Sequence, residues 1–399
     1  MPTSLPLLPD SLINGRPAML GVLGGGQLGR MFVHAAQALG YDTIVLDPDP
    51  TSPAGLVSHH QIQADYSDPA ALADLAARAQ AITTEFENVP ADALAVLAGQ
   101  RPVAPAAEAV AIAQDRVREK AHFVRSAQSS GVAPAPHAVI ESEADLARIP
   151  ADLLPGILKT ARLGYDGKGQ ARVATRDELA AAWRATGGVS CVLEKMLPLA
   201  LECSVIVARG RDGELASLPV QRNLHRGGIL AVTEVYEGNL PEALIQKALA
   251  ATRQIANDLQ YVGVLCVEFF VLEDGTLVVN EMAPRPHNSG HYTVDACDCS
   301  QFDLQVRTLA GLPLPAPRQH SAAIMLNLLG DLWFDAEGQA RALPWSEVLA
   351  LPGAHLHLYG KVEARKGRKM GHLTMTGANT EDVRASALRA AAFLGLEAF

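Results

Sequence analysis

Val264-Leu265-Cys266-Val267-Glu268-Phe269-Phe270-Val271-Leu272-Glu273-Asp274-Gly275-Thr276-Leu277-Val278-Val279-Asn280-Glu281-Met282 is the stretch whose reading decides the fold. Two apolar runs flank Asp274-Gly275, a strong two-residue hairpin signal. The pattern predicts strands over 263–272 and 276–282. A two-residue loop pairs 273 with 276, and counting outward places Glu268 opposite Glu281 on one face. Like charges so placed destabilise a sheet by up to ~1 kcal/mol, and burial makes this worse. The run around Glu268 is otherwise wholly apolar, so the two facing glutamates ask for a cation. Mg²⁺ fits, being a hard ion held by one or two carboxylates plus substrate phosphates. The alternative is that one glutamate faces solvent or pairs with an arginine such as Arg285.

Directly after the hairpin runs Ala283-Pro284-Arg285-Pro286-His287-Asn288-Ser289-Gly290-His291. Its prolines forbid a helix and fix an extended path. Arg285 and His287 can then point at one small anion. In the alternative, His287 and His291 satisfy backbone groups in an irregular loop, and His291 is read that way.

Upstream, the scarcity of lysine is informative. The chain carries 25 Arg and 8 Lys, so a lysine marks a place where a compact ammonium is wanted. Lys159 ends a predicted strand at 157–159, and Lys168 sits in Gly164-Tyr165-Asp166-Gly167-Lys168-Gly169-Gln170. No Lys-Ser/Thr pair closes this loop, so it is not a Walker A loop. It reads as a lid over phosphates or as a plain hairpin turn at Asp166-Gly167. Glu194-Lys195-Met196-Leu197 closes a predicted strand at 191–195, with Glu202 beyond it. An adenine edge held by strand backbone, with a carboxylate on the ribose, has this form, and so does a surface Glu-Lys pair.

At the N-terminal side, an apolar run at 18–23 leads into Gly24-x-Gly26-x-x-Gly29, a helix ending near Gly40, and a strand at 43–46 closing on Asp47. This is a βαβ unit, and αβ alternation continues to about 114. The glycines and Asp47 have the form of a dinucleotide site. A tight turn needs the same glycines without any ligand. Near the C-terminus, Lys361, Arg365, Lys366, Arg368 and Lys369 stand against Glu363. They read as a solvated face, as a phosphomonoester site of Lys361, Arg368 and Lys369, or as a nucleic-acid patch. A net charge of −10 and the lack of aromatics beyond Tyr359 disfavour the last.

The 399 residues suffice for two or three domains, and 49% apolar with 19% charged residues is an ordinary globular composition. Five cysteines without a CxxC argue against a disulfide framework. No apolar run reaches the ~18–20 residues of a membrane span. The expected location is the cytoplasm, with no membrane and no nucleic-acid partner. Residues 1–17 read as a flexible leader.

Taken in order, the motifs resemble the ATP-grasp ligases of purine biosynthesis. The match runs from about Met19 to about Leu373. It takes in Gly24-Gly25-Gly26-Gln27-Leu28-Gly29-Arg30-Met31 and Thr84-Glu85-Phe86-Glu87-Asn88-Val89-Pro90. Gln114-Asp115-Arg116 with Glu119-Lys120, the loop 164–170, 223–230, 280–291, and 359–361 with 367–372 complete it. The resemblance implies a multidomain α/β and α+β chain. A doubly wound, Rossmann-like domain would span 1–114, an ATP-grasp domain 115–312 with a lid at about 127–197, and a small β-rich domain 313–399. It implies ATP-dependent carboxylation of 5-aminoimidazole ribonucleotide by bicarbonate, through carboxyphosphate, with two Mg²⁺ ions and a homodimer. On this resemblance Arg116, Lys120, Lys159, residues 164–170, Glu194, Lys195, Met196, Leu197, Glu202, His225, Asn280 and Glu281 would bind ATP. Glu268 and Glu281 would bind metal, and Arg285, His287 and Lys361 would hold bicarbonate. Gln27, Leu28, Glu85, Tyr165, Asp166, Arg285, Lys361, Arg368 and Lys369 would bind the ribonucleotide. The glycine-rich loop then meets the ribonucleotide, and Asp47 loses its ribose role.

Overall fold

The computed structural model describes residues 6–162, 164 and 169–399. Its first sheet is parallel and four-stranded, in the order His60–Ile62, Asp42–Leu46, Met19–Leu23, Ala81–Thr84. Leu20, Val22, Val45 and Ala81 of its strands pack with Phe32, Val33 and Ala36 of the helix Gln27–Ala38. The expected βαβ unit is therefore present. The flexible leader is not borne out over residues 6–17. Leu7 donates its N–H to the Ala310 carbonyl at 2.9 Å, Tyr41 donates its hydroxyl to the Leu7 carbonyl, and Leu12–Ile13 pairs with Arg16–Pro17. Backbone groups with partners of this kind hold a segment down.

A second, antiparallel four-stranded sheet orders His137–Ile140, Cys191–Lys195, Gly156–Thr160 and Gln170–Val173. The third sheet has nine strands. Its main path runs Leu277–Ala283, Gly263–Leu272, Leu199–Arg209, Gln221–Arg226, Ile229–Val235, Ala322–Leu329, Lys369–Gly377 and Ala354–Leu358. The last three strands, from the C-terminal part of the chain, thus continue the sheet that begins with the hairpin.

The hairpin reaches its register by a different route from the one expected. Val271 pairs with Leu277, and Phe269 with Val279. Leu272 and Thr276 are joined by a 2.9 Å hydrogen bond, so the loop comprises residues 273–275, with Gly275 at φ +82°. That is the three-residue loop closed by a left-handed glycine. A register shift between Glu268 and Phe269 then makes Asn280 an extra residue, and Glu281 falls opposite Glu268 after all. The bulge has a second effect. Val279 and Met282 lie in the core with Val267, Phe269 and Ile255, while Asn280 and Glu281 both line the cavity on the other face.

Candidate functional site

One cavity of about 1000 Å³ opens between the three sheets. Helix Arg116–Ser130 supplies its cationic wall. Asp115 caps this helix, accepting from Val117 N–H at 3.0 Å, and Gly131 ends it at φ +67°. Arg116 and Lys120 are four apart and share a face. Arg116 Nη1 lies 3.2 Å from Glu281 Oε2, and Lys120 Nζ donates to the Asn280 carbonyl at 2.8 Å. Glu119 accepts the Met282 N–H at 2.7 Å, and burial raises its carboxyl to about 7. The helix is thereby stitched along the bulged strand.

Lys120 and Lys159 share one carboxylate. Glu194 sits 3.1 Å from Lys120 and 2.9 Å from Lys159, and all three are buried. Burial alone would raise Glu194, yet the two lysines hold it down at about 2. Burial lowers Lys120. Glu194 is therefore not a surface partner of Lys195 but the anchor of two ammonium groups. Two ammonium groups are thus gathered on one buried carboxylate at the cavity wall. Lys195, Met196 and Leu197 line the cavity beside them, as do Gly164, Gly169 and Gln170. Tyr165, Asp166, Gly167 and Lys168 lie outside the described residues.

At the hairpin, Glu281 faces Arg116, and Glu268 lies 2.9 Å from His287 Nε2. Burial would raise Glu268, but the His287 charge and hydrogen bond bring it below the usual carboxylate range. Glu202 lies 2.9 Å from His225 Nδ1, which lifts His225 against the lowering effect of burial. Arg285 pairs with Glu87 and not with either hairpin glutamate. Burial would raise Glu87, and the Arg285 guanidinium holds it at about 2. Sequence reasoning passed over Glu87, which lies in a turn just beyond the strand Ala81–Thr84 and lines the same cavity as Glu85.

His291 does not serve backbone groups. It is buried, its Nδ1 lies 3.0 Å from the side-chain amide of Gln301, and its ring packs 4.8 Å from that of His372. Asp295, His357 and His372 bring ligand atoms within 4.8 Å of one another. The His357 and His372 rings stack at 11°, so their lone pairs lie in near-parallel planes and do not converge on one ion.

The glycine-rich loop is satisfied by the protein itself. Gly25 N–H donates to Asp47 at 2.6 Å, and Gly26 and Gly29 N–H donate to Glu85 at 2.7 and 3.0 Å. A Cβ on Gly26 would stand 2.4 Å from Glu85 Oε1 and would push that carboxylate off the amides it holds. Asp47 also accepts the Tyr66 hydroxyl at 2.7 Å. Its spacing from the glycines thus serves the loop. Burial raises Glu85. Gln27, Leu28 and Glu85 still line the cavity. Lys361 Nζ reaches Gln27 Oε1 and the Lys369 carbonyl, each at 2.7 Å, and burial followed by Arg368 lowers it to about 8. Lys369 lines the cavity, while Arg368 donates to the Glu363 carbonyl at 2.7 Å and lies outside the lining set.

For a metal, the donor set fits. Glu268 and Glu281 are hard oxygen ligands, and between the strands' cavity-facing groups Asn280 Oδ1 is buried without a partner. Among the described residues no helix is long and apolar enough to cross a membrane.

Comparison with known proteins fits this geometry. The ATP-grasp domain model matches residues 125–302, the ribonucleotide synthetase preATP-grasp domain 18–114, and the phosphoribosylaminoimidazole carboxylase C-terminal domain 323–386. The fold is accordingly of the ATP-grasp class. The chain is 46% identical over 358 residues to N5-carboxyaminoimidazole ribonucleotide synthase of Brucella melitensis, covering 89% of this chain and 95% of the relative. It is 39% identical to the enzyme of that name from Bacillus subtilis, covering 90% and 91%. A solved N5-carboxyaminoimidazole ribonucleotide synthetase in complex with ADP superposes with a TM-score of 0.85 at 37% identity, covering 94% and 97%. The Aspergillus clavatus synthase, in complex with ADP and 5-aminoimidazole ribonucleotide, gives 0.83 at 31% identity, covering 95% and 99%. The chain belongs to the N5-carboxyaminoimidazole ribonucleotide synthase family.

Proposed function

We propose that the protein is an ADP-forming ligase that carboxylates 5-aminoimidazole ribonucleotide to its 5-(carboxyamino) form, with bicarbonate as carbon source. The observation that carries this is a single cavity with two ends. One holds Lys159 and Glu194, with Lys120 buried behind them, and the glutamate hairpin, the other Gln27, Glu85 and Lys369. Bound ADP and ribonucleotide in the Aspergillus relative correspond to these two needs.

In this reading Arg116, Lys120 and Lys159 bind and orient the ATP phosphates, Lys195, Met196 and Leu197 border the adenine, and Glu202 and His225 lie at the ribose. Glu268, Glu281 and Asn280 would hold Mg²⁺, which supplies charge neutralisation at the transferring phosphoryl group. A bicarbonate oxygen, held by Arg285, His287 and Lys361, attacks the γ-phosphorus in line, and the bond to the ADP oxygen breaks. The exocyclic amine of the ribonucleotide then takes the carboxyl carbon of carboxyphosphate, and phosphate leaves. Gln27, Leu28, Glu85, Arg368 and Lys369 position the ribonucleotide. Carboxyphosphate is short-lived in water, so the site must exclude water during the reaction.

Domain limits of 1–114, 115–312 and 313–399 suit this division of labour. A homodimer accords with the family resemblance, and a cytoplasmic location with five buried free thiols. The test is ADP release that requires both bicarbonate and the ribonucleotide. Folded protein with no ADP release in the presence of both would refute the proposal.

A further inference from the structure

Arg285 stands between two prolines, and its side chain is held from a distant part of the chain. Pro284 has its φ fixed by its ring, and Pro286 restricts Arg285 to extended backbone. The main chain therefore enters and leaves Arg285 along a set path. What remains free is the long side chain. Its guanidinium is planar, so hydrogen bonds on two of its nitrogens set where the third one points. Nε donates to a Glu87 carboxylate oxygen, and Nη1 donates to the Pro286 carbonyl at 3.1 Å. Among the described residues no hydrogen bond takes up Nη2. Arg285 and Glu87 both line the cavity.

Glu87 is itself a fixed acceptor. It lies in the turn after the strand Ala81–Thr84, 198 residues from Arg285. The side-chain amide of Gln114 donates to the Glu87 and Val89 carbonyls, each at 2.6 Å. The Thr84 hydroxyl lies 3.0 Å from the Phe86 carbonyl. Two residues before Glu87, Glu85 accepts from the Gly26 and Gly29 amides. Charge alone argues against a carboxylate at this place, because it repels any anion that the guanidinium is to hold. What Glu87 adds is direction, since a charge-assisted N–H···O bond is short and strongly oriented.

We propose that Glu87 is a positioning residue for the carboxylation: by holding Nε of Arg285 it aims the Nη edge of the guanidinium at the bicarbonate. The proposal rests on the reading that Arg285 holds bicarbonate. Glu87 does not touch the anion and acts only through Arg285.

The experiment is steady-state kinetics of single and double variants of the full chain, with a crystal structure of Glu87→Ala. Glu87→Ala should lower kcat/KM for bicarbonate about 10- to 100-fold, the cost of a misplaced binding group, with KM for ATP within about twofold. Glu87→Gln keeps an oxygen for Nε and loses its charge, so the fall should be only about 3- to 10-fold. In the Arg285→Ala background both substitutions should cost less than about twofold, because the group they act through is gone. A merely structural role of the turn would persist in that background, and a penalty that persists overturns the proposal. If Glu87→Ala does not fold, Glu87→Gln carries the same cycle. In the crystal structure the Arg285 guanidinium should leave its wild-type plane, and an unmoved guanidinium also overturns the proposal. Arg285→Ala separates the two readings. If it loses bicarbonate turnover while both Glu87 variants keep it, the positioning role fails alone. If Arg285→Ala keeps turnover, the assignment of bicarbonate to Arg285 is what fails.

Discussion

At the glycine-rich loop, three backbone N–H groups converge as they would on a phosphate, and Asp47 and Glu85 take all three. Beneath the hairpin, two ammonium groups converge on Glu194. The first region has the motif of a nucleotide site with its donors already satisfied by protein. The second has no recognised phosphate loop among the described residues, yet it gathers two ammonium groups on one carboxylate in a buried wall. Glycines permit a phosphate to approach, and gathered ammonium groups attract one. The contrast predicts where ATP lands and which substitutions will show it.

The largest effect is expected at the hairpin. Glu281→Gln keeps an acceptor for Arg116 but removes an anionic ligand, and turnover should fall at least about 10³-fold with an unchanged melting profile. Retained Mg²⁺-dependent ADP formation would break the second half of the comparison. Lys159→Met comes next. It leaves Glu194 and Lys120 as a balanced pair, so the fold persists. A charge-assisted bond to phosphate is worth up to ~3 kcal/mol, so kcat/KM for ATP should drop about 10²-fold while KM for the ribonucleotide hardly moves. Initial-rate kinetics with each substrate varied in turn reads this directly.

Much of this was legible in the residues, for reasons that differ from place to place. A wholly apolar run put Glu268 among core residues, and counting pairs outward from the turn put Glu281 across from it. The loop length assumed in that inference was wrong by one residue, and a bulge at Asn280 restored the pairing. A bulge leaves no mark in the hydrophobic pattern, because Asn280 and Glu281 are polar in either register. Arg116, Glu119 and Lys120 stood out only through the family resemblance, and nothing local told that Glu194 would bind two lysines from different elements. Glu87 and Gln301 act through partners up to 198 residues away, as Arg285 and Glu87 do. Such contacts are properties of the assembled sheet. Asp47 was misleading for the opposite reason: its spacing is that of a ribose ligand, and a loop that must hold its own amides needs the same spacing.

A third effect sharpens the border between the two regions, where Lys361 bonds Gln27 at the head of the loop helix. Burial lowers Lys361 to about 8. Above that pH the ammonium is lost, and kcat/KM for bicarbonate should fall tenfold per pH unit. The stability linkage has the opposite sign. Between about 8 and the ordinary value of 10.5 the folded state binds fewer protons than the unfolded chain, so this group's contribution to stability rises with pH. Activity falling while the melting temperature holds therefore marks Lys361 and not alkaline unfolding. Lys361→Arg, which stays charged, should move the fall to higher pH.

The smallest effect on catalysis, and the most direct test of the first region, is at Asp47. Asp47→Ala leaves the Gly25 N–H and the Tyr66 hydroxyl without their acceptor. A buried donor left unsatisfied costs about 1–3 kcal/mol, so the denaturation midpoint of the variant should drop. If the glycine-rich loop meets no nucleotide, KM for ATP stays within about twofold, since no charge has left the Lys120 and Lys159 wall, which lies in other sheets and helices. Any kinetic penalty should fall on the ribonucleotide, because Gly25 stands next to the Gly26 amide that Glu85 holds and Glu85 lines that end of the cavity. A rise in KM for ATP that exceeds the rise for the ribonucleotide would reverse the comparison and return the loop to the role its glycines suggest.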